Sequence, residues 1–481
     1  MPSRRRSQPG AARKPCAPHA RRGRGMISWH RTTACDIARA VRGREVTARA
    51  VLEGCLADIE ARAAPLVAVT QLLAERARAE ADAVDARIAV GEDPGPLAGV
   101  PYGVKDLFDV AGRPTTAGSR VYADAPPAPC DAKAVARLKA AGAVLVATLN
   151  MDEFAYGFAT INAAYGTTRN PHDLARLAGG SSGGSAAVVA AGLLPLALGS
   201  DTNGSVRVPA SLTGLYGLKP THTALPLDGV FPFAESFDDV GPFTRSVEDM
   251  ERVWAVLRGE PNVPLTAADL RVARLGGRFR VNADPDQLAA MDAIAGEGPL
   301  LEIPEIGRAR SAAFLITAHE GGMLHRAMLA ERAMDYDPQV RDRLIAGALL
   351  PETIVDEARA FRADYIARVT AMLADTDVVL APATPCTAPR IEDPRIAIDG
   401  GMRPARADLG IHTQAITFLG FPSLAVPLKR PGALPLGLQL IGKPGEEDKL
   451  FALARQLEMR GFTGVSAPAC MAETREEGTT Q

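Results

Sequence analysis

Between Thr33 and Val90 apolar residues recur at helical spacing, as at Ile37, Val41, Val46, Val51, Leu56 and Ile59, on a background rich in Ala, Leu, Glu and Arg. This predicts two or three amphipathic helices. The segment Pro94-Gly95-Pro96-Leu97-Ala98-Gly99-Val100-Pro101 breaks the helical pattern and leads into Tyr102-Gly103-Val104-Lys105-Asp106, a short strand ending in charge. A further helix, Ala132 to Ala141, feeds the apolar strand Ala143-Val144-Leu145-Val146-Ala147, so helix and strand alternate as in an α/β protein. The run Ala186 to Leu198 is interrupted by Gly192 and Pro195 and reads as a buried helix followed by a strand. Beyond Asp239 helical patterns dominate until the strand Asp377-Val378-Val379-Leu380-Ala381-Pro382, and a second strand, Ser423 to Leu428, follows Gly420-Phe421-Pro422. No linker or internal repeat interrupts 27–465, which predicts one large α/β domain with a helical middle insertion.

Charge changes this picture at the N-terminus. The first 25 residues hold eight Lys or Arg and no Asp or Glu; removing that +8 from the whole-chain −2 leaves −10 for the rest. The expected organisation is a basic, disordered leader over 1–25 with translation starting at Met26, a domain over 26–470 and a flexible tail over 471–481. The leader has no apolar stretch, so it lacks the core of a secretory signal, and a transit peptide or basic arm is the alternative. An acidic body argues against nucleic acid as a partner, because phosphate binding needs a basic face. No uninterrupted apolar span of about 18 residues suggests a membrane segment. The six cysteines, Cys16, Cys35, Cys55, Cys130, Cys386 and Cys470, are scattered without a C-x-x-C pair, which disfavours a metal centre or disulfide framework. These features point to a cytoplasmic protein with no metal and no cofactor.

Gly166 to Gly217 contains 13 glycines or prolines, a density suited to backbone approaching a ligand. Within it lie Gly179-Gly180-Ser181-Ser182-Gly183-Gly184-Ser185 and Gly199-Ser200-Asp201-Thr202-Asn203-Gly204-Ser205-Val206-Arg207-Val208-Pro209-Ala210. A phosphate cradle would end in G-K-[ST], and a dinucleotide site would need G-x-G-x-x-G; neither is present. Residues 180–184 satisfy G-x-S-x-G, which would make Ser182 a nucleophile with a histidine base, the choices being His222, His319, His325 and His412. Taken singly, Lys105 beside Asp106 reads as a solvated pair, Ser181 as a turn residue and Ser205 as a helix cap.

Taken together they resemble the amidase signature family, in which the first Ser of a G-G-S-S-G-G-S run precedes a second Ser, closing D-x-x-G-S, by the 24 positions that separate Ser181 from Ser205. The family's upstream lysine segment is matched by Gly99-Val100-Pro101-Tyr102-Gly103-Val104-Lys105-Asp106. Thr168-Arg169-Asn170-Pro171, Gly214 to Thr221, Gly241-Pro242-Phe243 and Pro382-Ala383-Thr384-Pro385 extend the likeness over roughly 33–430. The resemblance implies a mixed central β-sheet sandwiched by helices in one domain, and a catalytic triad of Lys105, Ser181 and Ser205 with a cis peptide bond at Ser181. It also implies an oxyanion site at Thr202, Asn203, Gly204 and Ser205, with Ser182 supporting the network. A serine hydroxyl needs a base to take its proton. Neutral Lys105 in that role requires its pKa to fall from ~10.4 to near neutrality, roughly 4 kcal/mol, through burial or neighbouring cations. Arg207 with Asp201 reads as a structural ion pair, and Cys386 and His412 as filling structure or lining the pocket.

Many family members, including the glutamine-hydrolysing component of the tRNA-dependent amidotransferase, carry Gly and Gln where this chain has Asn203 and Val208. The string Ser200 to Ser211, with Phe231-Pro232-Phe233-Ala234-Glu235-Ser236, resembles instead the 1-carboxybiuret (biuret) hydrolase branch. That likeness implies a small amide or ureide substrate, ammonia release, and a small helical partner subunit in a homodimer or hetero-oligomer. An arginine, Arg169 among others, would bind a substrate carboxylate, and Leu409 to Thr417, with His412 and Gln414, resembles a pocket-lining stretch. The alternatives are an inactive amidase-fold scaffold and the glutamine-hydrolysing component of a tRNA-dependent amidotransferase.

Overall fold

A computed structural model describes residues 32–263, 265–267 and 270–468. The expected leader and tail, and any start at Met26, lie outside them. An 11-stranded mixed sheet organises the molecule. Its strands run in the order Val69–Leu72, Val144–Leu149, Pro101–Lys105, Leu196–Asp201, Asp239–Thr244, Tyr216–Lys219, Ser423–Pro427, Gly437–Ile441, Val378–Pro382, Val272–Leu275 and Leu300–Leu301. Pro101–Lys105 lies parallel to both its neighbours, and Val272–Leu275 to both of its own, whereas the strands between pair antiparallel. Helices cover both faces, so the central strands are buried throughout and read as continuous apolar runs.

Three helices, Ala34–Arg42, Ala48–Arg62 and Ala74–Ala89, occupy the first periodic region. Thr33 and Thr47 start the first two, each hydroxyl accepting a first-turn N–H at 3.1 Å. The expected strands at 102–106, 143–147, 377–382 and 423–428 all form within a residue or two. The run 186–198 divides into the buried helix Gly183–Ala190 and the strand Leu196–Asp201.

The middle of the chain is less purely helical than its pattern suggests. Asp239–Thr244 joins the sheet beside Leu196–Asp201, and Val272–Leu275 and Leu300–Leu301 extend its far edge before the long helix Ile306–Arg332 begins. That helix packs against Pro338–Ala348, Glu352–Met372 and the short helix Gln414–Leu419, and together they form a helical layer. Among the described residues no helix is long and apolar enough to cross a membrane.

Candidate active site

Lys105 ends the Pro101–Lys105 strand, where the sheet's apolar core carries its amine wholly out of solvent. Its Nζ donates to Ser181 Oγ at 2.7 Å and to Ser200 Oγ at 2.8 Å. Burial pushes the amine down to about 7, against the upward pull of the Asp152, Asp238 and Asp201 carboxylates. This is the depression expected for a lysine acting as a base.

Ser181 sits in the tight turn before the Gly183–Ala190 helix, and the Gly180–Ser181 peptide bond is cis, as the resemblance implies. The turn is closed around Asp152. The Asp152 N–H donates to the Ser181 carbonyl at 3.1 Å, and its Oδ2 accepts from Ala159 N–H and Thr160 N–H at 3.1 and 2.8 Å. A Cβ at Gly180 would stand 2.2 Å from that same carboxylate oxygen, so only glycine lets the loop approach. Ser182 ties the two loops together: its Oγ donates to the Ser200 carbonyl at 3.1 Å, and its N–H to the Ser205 carbonyl at 3.3 Å.

The second loop is shaped by one carboxylate. Asp201 takes N–H bonds from Gly204 (2.6 Å) and Val206 (3.2 Å) and from Arg207 Nε and Nη2 (both 2.9 Å). Arg207 continues to Gln439 Oε1 at 2.8 Å and Thr417 Oγ1 at 2.6 Å. Both charges are fully buried, which makes the pair structural, as its position in the sequence suggested. Because the Gly204 N–H is committed to Asp201, this residue shapes the loop. Among the described residues no hydrogen bond engages the Thr202, Asn203 or Ser205 N–H groups. Thr202 Oγ1 donates to Asp238 Oδ1 at 2.6 Å; burial lifts the Asp238 carboxyl to about 6 despite this bond and the Phe233 and Ala234 N–H groups.

Ser205 and Thr202 open onto a narrow cleft whose other walls include Asn203, Tyr156, Phe233, Phe314, Thr317, Arg343 and Gln414. Arg343 was not singled out by its sequence, where it is one of two arginines on the helix Pro338–Ala348. Its guanidinium carbon stands 3.8 Å from the centre of the Tyr156 ring and Nη1 donates to the Tyr156 carbonyl at 3.2 Å. Burial holds it below the usual guanidinium range, and no carboxylate pairs with it among the described residues. Arg169, by contrast, is exposed, donates to the Leu174 carbonyl and does not line this cleft. Ser200, also unanticipated, is the second hydroxyl on Lys105.

The histidine-based alternative finds no support. His222 meets Asp239 at 3.1 Å and His325 meets Tyr336 at 3.2 Å. His412 is buried against the Asn282 carbonyl and stacks on Phe279, and His319 lines a separate surface depression. Ser182 spends its hydroxyl on backbone. Burial raises the Cys386 thiol to about 12, leaving it inert.

Residues 50–275 and 301–451 match the Amidase family, and the chain belongs to it. It is a hydrolase acting on amide bonds. Among relatives, it is 46% identical over 449 residues to AtzE, the 1-carboxybiuret hydrolase component of Pseudomonas sp. (strain ADP), covering 89% of this chain and 98% of that one. It is 35% identical over 491 residues to a glutamyl-tRNA(Gln) amidotransferase component of Deinococcus radiodurans, covering 91% and 98%. Among solved structures, one described as a vestigial protein complex that reveals the evolutionary origins of an s-triazine catabolic enzyme superposes with a TM-score of 0.88. It shares 44% identity and covers 90% of this chain and 100% of that one.

Proposed function

We propose that Lys105, Ser181 and Ser205 form a catalytic triad that hydrolyses the terminal C–N bond of a small ureide of the 1-carboxybiuret type and releases ammonia. The observation that carries this reading is the solvent-free Lys105 amine, near 7, held 2.7 Å from Ser181 Oγ. With the amine neutral, its lone pair takes the Ser181 proton while Ser181 takes that of Ser205. The Ser205 Oγ then attacks the carbonyl carbon. Negative charge collects on the former carbonyl oxygen, facing the Thr202, Asn203 and Ser205 N–H groups, each worth around 3 kcal/mol in the transition state. Return of the proton through Ser181 to the leaving nitrogen expels ammonia and leaves an ester on Ser205, which water cleaves by the same relay.

Arg343 supports an anionic substrate: it is a cation in the same cleft, stacked on Tyr156 and without a carboxylate of its own. The relative at 46% identity is one subunit of its enzyme, which supports a partner chain here too. The enzyme, alone and with any small co-encoded partner, is to be assayed for ammonia release from biuret, 1-carboxybiuret, allophanate, glutamine and simple amides, with Ser205→Ala as control. Release from a ureide that disappears in Ser205→Ala is the expected result. Glutamine as the sole substrate would move the assignment to an amidotransferase component, and no release from any of them would favour a scaffold.

A further inference from the structure

Gln414 opens the short helix Gln414–Leu419 and lines the cleft that Ser205 faces, 4% exposed. Its amide is not free to turn. Arg310, on the Ile306–Arg332 helix, donates from Nε to Gln414 Oε1 at 2.8 Å while its Nη2 holds Asp408 Oδ1 at 2.7 Å. A guanidinium has donors and no acceptor, so Gln414 can only meet it through oxygen. The consequence is that the –NH2 end of the amide, which meets no protein acceptor among the described residues, is the end left for the cleft.

Asn203 presents the opposite pole on the same cleft. Its Nδ2 donates to Thr317 Oγ1 at 3.0 Å, and its Oδ1 is buried with no partner. A buried acceptor left unmet costs free energy until something donates to it. The cleft therefore offers one oriented donor and one orphan acceptor beside the nucleophile, the complement of an –NH–C(=O)– unit.

Resting on the amidohydrolase reading above, we infer that Gln414, turned by the Arg310–Asp408 pair, selects substrates with a second carbonyl beyond the scissile amide. Gln414 donates to that second carbonyl, and the intervening N–H donates to Asn203 Oδ1. Gln414 is a specificity residue and Arg310 a positioning residue; neither touches the reacting atoms. A plain alkyl amide meets neither group and gains nothing from them.

The test compares biuret with butyramide, which has the same chain length but methylenes in place of the second carbonyl and its N–H. The readout is the ratio of their kcat/KM values in wild type, Gln414→Leu, Gln414→Glu and Arg310→Met. Wild type should favour biuret, and Gln414→Leu should lower the ratio about tenfold, as expected for one lost hydrogen bond to a site built around it. Gln414→Glu keeps the shape and the Arg310 contact but replaces the donor with an acceptor, and should lower the ratio at least as far. Arg310→Met should lower it in the wild-type background and leave it unchanged in Gln414→Leu. A purely structural role would depress both substrates equally, so an unchanged ratio in Gln414→Leu and Gln414→Glu overturns the inference. Wild type inactive on every amide would instead remove the function on which it rests.

Discussion

Lys105→Met isolates the energetic cost of the buried amine. The group titrates near 10.5 in an unfolded chain and about 7 in the fold. Each pH unit of that gap is worth about 1.4 kcal/mol, so the fold gives up about 5 kcal/mol to bury the protonated amine. The sign follows from proton uptake. Below pH 7 both states are protonated and the cost is complete; between 7 and 10.5 the unfolded chain binds the extra proton, so stability climbs with pH; above 10.5 the cost is gone. Methionine removes the cost but also the bonds to Ser181 and Ser200, about 1 kcal/mol each. The variant should therefore be inactive yet about 2 kcal/mol more stable than wild type at pH 7, with the advantage shrinking to about zero by pH 9. Urea unfolding of both proteins at pH 7, 8 and 9, followed by circular dichroism, reads the difference directly, since the other titrating groups are shared. A wild type more stable than Lys105→Met at pH 7, or a gap that stays constant up to pH 9, would refute the reasoning.

Three further outcomes follow from the same geometry. In the proposed mechanism neutral Lys105 is the active form, so kcat/KM should rise with pH to a plateau with its midpoint near 7; a midpoint near 10 in a pH–rate profile would contradict the placement of the base. Gly204→Ala puts a Cβ 2.0 Å from Thr413 Oγ1 at a φ of +132°. It should cut kcat by about 100-fold or more while leaving the far-ultraviolet spectrum unchanged, with partial recovery in Gly204→Ala/Thr413→Ala. Arg207→Met strands the buried Asp201 carboxylate and should cost about 3–5 kcal/mol in denaturant unfolding, part of which Asp201→Asn in the same chain restores.

The sequence was most legible where chemistry and backbone demand the same residues. Lys105, Ser181, Ser182 and Ser205 stand out because glycines crowd around them, and Gly180 and Gly204 are places where a Cβ would collide with Asp152 and Thr413. The buried strand at Val378–Pro382 was visible because both its faces are covered. Val69–Leu72 was not, since it is a four-residue edge strand, half exposed, between two helices. Leu300–Leu301 is two residues long and takes its place from its parallel neighbour, which no local pattern records. Arg343 escaped for a related reason, since only the fold places it beneath an aromatic ring; Gln414 was expected in a pocket-lining stretch, but only Arg310 decides which way it faces.

The proposed triad Lys105, Ser181 and Ser205, with Asp201 and Arg207 beside it, comes from residues 105–207, whereas Phe314, Thr317, Arg343 and Gln414 come from 314–414. The two stretches meet across the cleft, through contacts such as Asn203 with Thr317. Much of the substrate-facing wall is thus encoded apart from the proposed bond-breaking groups, with Tyr156, Asn203 and Phe233 contributed from outside the second stretch. Recombination or drift in the second stretch can redirect the enzyme to another amide while the first keeps an unaltered reaction centre, so substrate divergence within such a lineage should be concentrated in the helical layer.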